Sequence, residues 1–189
     1  MHLLILALCV AGAFAQIPIR CTSPTAWEGR LFEVNPSRRF ERFARIAYDA
    51  SNERVAIREE VIEGETREFY EEIFIHRAEV GYRINGRTRQ CEKFALKEPF
   101  RYIQVPENAT SYGEAYVGSS SVAGAGTLVN LWGGETERGR YSGSWTSVGC
   151  VPVTDSYVSS TTGFIHWTFY DVTLGISDPN VFIPPSNCP

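Results

Sequence analysis

Stretches in which apolar and polar residues alternate with a period of two dominate the chain from Trp27 onward, and the interruptions are turn residues rather than helix caps. This period sends successive side chains to opposite faces of an extended backbone, so it commits the chain to strands. Phe40–Tyr48, Arg54–Ile62 and Arg67–Arg77 read as three strands, with turns at Asp49-Ala-Ser-Asn52 and Glu63-Gly-Glu65. Val80–Ile84 and Arg87–Phe94 read as the arms of a hairpin around Asn85-Gly86, a dipeptide that tolerates the positive φ angles of a tight turn. Lys97 to Tyr112 is irregular, broken by Pro99 and Pro106. Strands resume at Tyr112–Val117, Thr127–Trp132, Arg140–Val148, Val151–Val158 and Phe164–Thr173, and Gly118–Gly126 is a flexible loop. Many strands, short turns and little helical periodicity predict an antiparallel all-β sandwich or open barrel. No second domain and no internal repeat is visible.

Met1–Ala15 has the pattern of a secretory leader. Leu3–Val10 is an unbroken apolar run, too short to span a bilayer, and Ala13-Phe14-Ala15 is a small–x–small cleavage signal. The reading is a leader at 1–15 and one domain at 16–189, soluble and extracellular, with no membrane span. Cleavage also settles the odd cysteine count. Of five cysteines Cys9 leaves with the leader, and Cys21, Cys91, Cys150 and Cys188 remain. An oxidising compartment makes these structural, and four cysteines allow three pairings. None lies in a Cys-x-x-Cys or Cys/His cluster, which argues against zinc. The net charge of −4, with both signs mixed along the strands, gives no concentrated basic surface for nucleic acid.

Little in the chain points to catalysis. His76 and His166 alternate with apolar neighbours, and no Gly-x-Ser-x-Gly elbow marks a nucleophile. Gly124-x-Gly126 lacks the third glycine and following helix of a phosphate cradle. Glu59, Glu60, Glu63, Glu65, Glu68, Glu71 and Glu72 crowd one hairpin, and a close carboxylate pair could serve glycoside hydrolysis. Interleaved Arg54, Arg58 and Arg67 favour solvated cross-strand ion pairs instead. Asn108-Ala109-Thr110 is a valid N-glycosylation acceptor in a proline-bounded segment, whereas Asn35 is followed by Pro36. Three apolar rows each share one face of a strand: Phe69, Ile73 and Ile75; Val129 and Leu131; Ile165, Trp167 and Phe169.

Three late segments carry a family resemblance. They are Gly118-Ser-Ser-Ser-Val-Ala-Gly-Ala-Gly-Thr-Leu-Val-Asn-Leu-Trp132, Gly149-Cys-Val-Pro-Val153 and Leu174-Gly-Ile-Ser-Asp-Pro-Asn-Val-Phe-Ile-Pro-Pro-Ser-Asn-Cys188. With Cys21, Trp27-Glu-Gly-Arg30, Tyr48-Asp49, Cys91 and Val105-Pro-Glu-Asn-Ala-Thr110 in order before them, the chain resembles the ependymin-related family over its whole mature length. The most specific element is the closing Gly-Ile-x-Asp-Pro-x-x-Phe-x-Pro-Pro-x-x-Cys.

The resemblance implies two stacked antiparallel sheets enclosing an apolar pocket, similar to bacterial lipoprotein carriers. It implies a secreted, non-enzymatic glycoprotein that binds a lipid or fatty acid, with the three apolar rows facing one another around the pocket. It implies the pairs Cys21–Cys150 and Cys91–Cys188, and it leaves a homodimer open. It also brings associations with matrix adhesion and calcium. No cofactor is required, and no EF-hand loop occurs. For calcium the candidate residue is Asp178 of Ile176-Ser-Asp-Pro-Asn180, which also has an Asp-Pro turn role. The competing readings are an adhesion or signalling protein without a physiological lipid and, behind it, a glutamate-based hydrolase.

Overall fold

The computed structural model describes residues 18–189, so the leader read at 1–15 lies outside the described residues. Among these residues eleven strands follow one another: β1 Ala26–Asn35, β2 Phe40–Asp49, β3 Arg54–Glu63, β4 Thr66–Ile75, β5 Val80–Asn85, β6 Cys91–Ala95, β7 Thr110–Gly118, β8 Gly126–Thr136, β9 Gly139–Thr146, β10 Pro152–Ser159 and β11 Gly163–Leu174. The fold is all-β, antiparallel and open. It differs from the expected pair of stacked sheets in one respect. All eleven strands form a single hydrogen-bonded sheet, in the order β6-β5-β4-β3-β2-β1-β11-β10-β9-β8-β7. Two meanders, β1–β6 and β7–β11, are fused where β1 pairs with β11, with Leu31 opposite Phe169 and Glu33 opposite Trp167.

The strands match the sequence pattern, with adjustments. β1 is not marked off by the alternation around it. The strand expected to reach Arg77 ends at Ile75, where a 3-10 turn, His76–Ala78, begins. The β5–β6 hairpin turns over five residues, Gly86–Gln90, rather than two, because the Asn85 side chain accepts from the N–H groups of both Arg87 and Thr88 at 2.9 Å.

Burial distinguishes the two faces of the sheet. On β2 Ala44, Ile46 and Tyr48 are buried while Glu41, Phe43 and Arg45 are exposed; the first face is called concave below and the second convex. The concave face carries the main core of Trp27, Leu31, Ala44, Ile46 and Tyr48. Topology supplies its cover. β6 and β7 are opposite edges, and only fourteen residues, 96–109, join them. Ten strand spacings would span about 48 Å in a flat sheet, close to the extended reach of such a segment at about 50 Å. The connection must therefore run across one face, and Phe100 and Ile103 pack on the concave core. We call residues 96–109 the strap.

The convex face is covered differently. Gly175, at φ 84, turns the chain back after β11. Phe182 then seats on Ala47 and Ala56, with Ile176 and Val181 beside it. The Arg54 guanidinium lies 4.1 Å from the Phe182 ring centroid. The structure joins Cys91 to Cys188, tying this tail to the β6 edge, and Cys21 to Cys150, pinning the N-terminal segment near the far end of the strap.

Candidate functional site

The concave face is assembled by register. Starting from Trp167, direct cross-strand neighbours run through Glu33, Arg42 and Val61 in one direction, and through Asp155, Gly143 and Trp132 in the other. A parallel row runs Phe169, Leu31, Ala44, Glu59 and Tyr70. Aromatic packing dominates one end. Trp27 stacks on Tyr48 with ring centroids 5.2 Å apart and meets Phe169 edge-on at 5.7 Å.

The strap grips this end through side chains. Phe100 stacks on Tyr48 at 5.4 Å and meets His76 edge-on at 5.3 Å. The Ile103 N–H donates to Tyr48 Oη at 3.0 Å, and burial raises the Tyr48 pKa. Arg101 lies over Trp167, 5.0 Å from the ring centroid, and is ion-paired with Asp155. Burial pushes the Asp155 carboxyl up, and Arg101 opposes that shift. At the strap's far end Val105 enters a second cluster with Trp132, Trp145 and Cys150. The indole Nε1 groups of Trp27, Trp132 and Trp145 are buried without an acceptor.

A charged band lies beside the aromatic end. Glu33, Glu59 and Glu72 are only 7%, 5% and 4% exposed. Arg42 bridges Glu33 at 2.8 Å and Glu59 at 3.2 Å, and Arg83 holds Glu72 at 2.6 Å. Burial lifts the Glu59 pKa from 4.5 to about 7; Arg42 and Arg83 counter this, while Glu72 and Glu33 add to it. The glutamate-rich hairpin is thus divided by period two. Glu59 and Glu72 face the concavity, whereas Glu60 pairs with Arg67 and Glu71 pairs with Arg58 and Arg89 on the convex side.

The three apolar rows do not face one another. Ile165, Trp167 and Phe169 lie on the concave face. Phe69, Ile73 and Ile75 lie on the convex face, and so do Val129 and Leu131. Successive partners Leu131, Ser144, Thr154, Thr168, Phe32, Phe43, Glu60 and Phe69 trace that convex row. The expectation of one cavity lined by all three rows is corrected accordingly. Period two fixes which residues of a strand share a face, but only register decides which faces coincide.

The remaining candidates are placed as follows. Asp178 caps the 3-10 turn Pro179–Phe182, its Oδ1 accepting from the backbone N–H and the side-chain amide of Asn180, each at 2.9 Å. Among the described residues no three His, Cys, Asp or Glu side chains gather as a metal site. Asn108 is exposed near the end of the strap, its Oδ1 accepting from Tyr141 Oη at 3.1 Å. His166 lies 2.7 Å from Ser156 Oγ, and its other ring nitrogen faces Thr168 Oγ1 at 3.1 Å, so a hydroxyl stands where a triad has its carboxylate. Among the described residues open clefts lie at the sheet's ends, one of them beside the charged band. One, about 540 Å³, is lined by Tyr112, Tyr141, Ser156 and Phe164 among others. Another, about 560 Å³, includes Tyr70, Arg83, Arg89 and Glu92.

No helix among the described residues is long and apolar enough to cross a membrane. A profile of the Ependymin family matches residues 64–188. The chain is 30% identical over 185 residues to mammalian ependymin-related protein 1 from Mus musculus, covering 95% of this chain and 80% of that protein. It is 28% identical over 171 residues to ependymin from Notemigonus crysoleucas, covering 89% and 78%. Among solved structures it resembles an uncharacterized conserved protein from Thermus thermophilus. The TM-score is 0.56 at 10% identity, covering 87% of this chain and 88% of that one, a likeness of fold alone.

Proposed function

This chain belongs to the ependymin family, and from that premise we propose that it is a secreted, non-catalytic binder of a hydrophobic ligand, a lipid or fatty acid, held on the concave face beneath the strap. The observation that carries the reading is the one-sided cover. A sheet of this size ordinarily buries its apolar face against a second layer. Here a segment without secondary structure roofs it, and Trp167, Phe169 and Ile165 stay partly exposed. In this conformation Phe100 and Ile103 occupy the aromatic end, so an acyl chain enters by displacing them. Each buried methylene contributes about 0.8 kcal/mol to binding.

Secretion through the leader at 1–15 and a glycan on Asn108 belong to the same proposal. Calcium binding at Asp178 and matrix adhesion rest on the family resemblance. For Asp178 the support is that Oδ1 is committed to Asn180, which leaves Oδ2 to meet a cation. Calorimetric titration of Asp178→Asn against Glu71→Gln decides the calcium site; equal weakening, or none, removes it.

The competing reading is an adhesion or signalling protein without a lipid, and the strap's occupancy of the aromatic end favours it. Titration of the secreted protein with a fluorescent fatty acid, together with native mass spectrometry, separates the two. Saturable binding that is weakened by Trp167→Ala supports the carrier. Absence of binding in the wild type supports the alternative.

A further inference from the structure

We propose that the charged band of the concave face receives a protonated amine, so that the hydrophobic ligand is a long-chain amine held with its ammonium on Glu59. This deepens the carrier reading and rests on it. Three buried carboxylates, Glu33, Glu59 and Glu72, face two guanidiniums, Arg42 and Arg83, which leaves one negative charge over. The deficit has an address. The Glu59 side chain is 2% exposed. Its Oε2 is buried and accepts no hydrogen bond, because Arg42 Nη1, although 3.2 Å away, is not in hydrogen-bonding geometry. A buried carboxylate oxygen without a donor is costly, and an ammonium brings three donors and no acceptor.

The surroundings fit an amphiphile. Glu59 stands in the cross-strand row that continues through Ala44 and Leu31 to Phe169, so a head on Glu59 directs its tail along the apolar face. A cleft lies next to the head-group end. The cleft of about 560 Å³ is walled by Tyr70 and Arg83, the direct cross-strand neighbours of Glu59 and Glu72. Arg83 is about half exposed and can swing away. Arg42 Nε, also buried without a partner, sits beside Glu59 as a donor for a hydroxyl next to the amine.

The test titrates the folded, secreted protein at pH 8 with hexadecylamine and with hexadecanoic acid, each displacing the same fluorescent probe. Wild type should prefer the amine about tenfold, the worth of one charge-assisted hydrogen bond, and Glu59→Gln should abolish that preference. The wild type alone gives a second readout, independent of how the variant folds. Glu33 on β1, Arg42 on β2, Glu68, Tyr70 and Glu72 on β4 and Arg83 on β5 all share Glu59's face. Among them Glu59 is the group lifted to about 7. The amine preference should therefore fall between pH 8 and pH 6. Equal binding of both probes, unchanged by pH or by the substitution, overturns the amine site and leaves the carrier standing. Failure of both probes to bind overturns the carrier reading with it.

Discussion

The two covers of the sheet, strap and tail, differ in what they rest on. The tail presses one aromatic ring, Phe182, onto two small residues, Ala47 and Ala56, and that ring is left 3% exposed. A disulfide locks the tail's end. The strap rests on large rings, Tyr48, Trp167 and, through its own Phe100, His76, and is held by stacking, by hydrogen bonds through the Tyr48, Tyr102 and Tyr141 hydroxyls, by an ion pair and by Val105 in the second cluster. The convex cover is thus one ring locked in place by the tail, and the concave cover is an irregular segment laid over the main core.

Breaking the convex cover should cost stability and leave binding alone. The Cys91–Cys188 bridge spans 97 residues, and chain entropy assigns such a loop about 4 to 5 kcal/mol. Replacing both cysteines with serine should lower the urea midpoint accordingly, with fatty-acid affinity unchanged. Phe182→Ala should cost about 3 kcal/mol by the cavity it leaves, again with unaltered binding. A loss of binding in either variant would move the site to the convex face.

The charged band sharpens the contrast through pH. Burial gives Glu59 a folded pKa of about 7 against an ordinary 4.5, so the folded protein holds this proton more tightly than the unfolded chain. Its destabilising effect is absent below 4.5, grows as pH rises, and is complete above about 7. Across that window wild type should lose stability on the order of 3 kcal/mol. Glu59→Gln should flatten that part of the profile, and an identical slope in both proteins would remove the assignment.

The smallest expected effect falls on the strap itself. Phe100 is half-buried, so Phe100→Ala should cost only about 1 to 2 kcal/mol of stability. Because Phe100 occupies the face a ligand would take, the same change should tighten acyl-probe binding about threefold by raising the fraction of open protein. Weaker binding would make Phe100 part of the ligand contact instead.

Much of the architecture is legible in the residues. The alternation in β2, β3, β4 and β11 marks their positions, and the proline-broken stretch before Thr110 marks the strap as irregular. β1 is hidden because its core-facing positions include Gly29, Glu33 and Asn35, which break the apolar alternation, while Glu33 and Asn35 are nevertheless buried. Its partner β11 lies well over a hundred residues away, so local pattern cannot show that the two meanders fuse into one sheet. The same blindness misplaces the apolar rows. Phe69, Ile73 and Ile75 look like a cavity wall in isolation, but register puts them on the opposite side from Trp167. By pattern Glu59 is one of seven surface glutamates; its burial follows from cross-strand neighbours that no local window contains.

Hydrogen exchange of the secreted protein, with and without a saturating long-chain lipid, tests the concave site most directly. The expected result is slower exchange in the strap, residues 96–109, and in β11 around Trp167–Phe169, with no change in residues 176–188 or in β4 around Ile73. Protection confined to the tail and β4, or none anywhere, would contradict a ligand held beneath the strap.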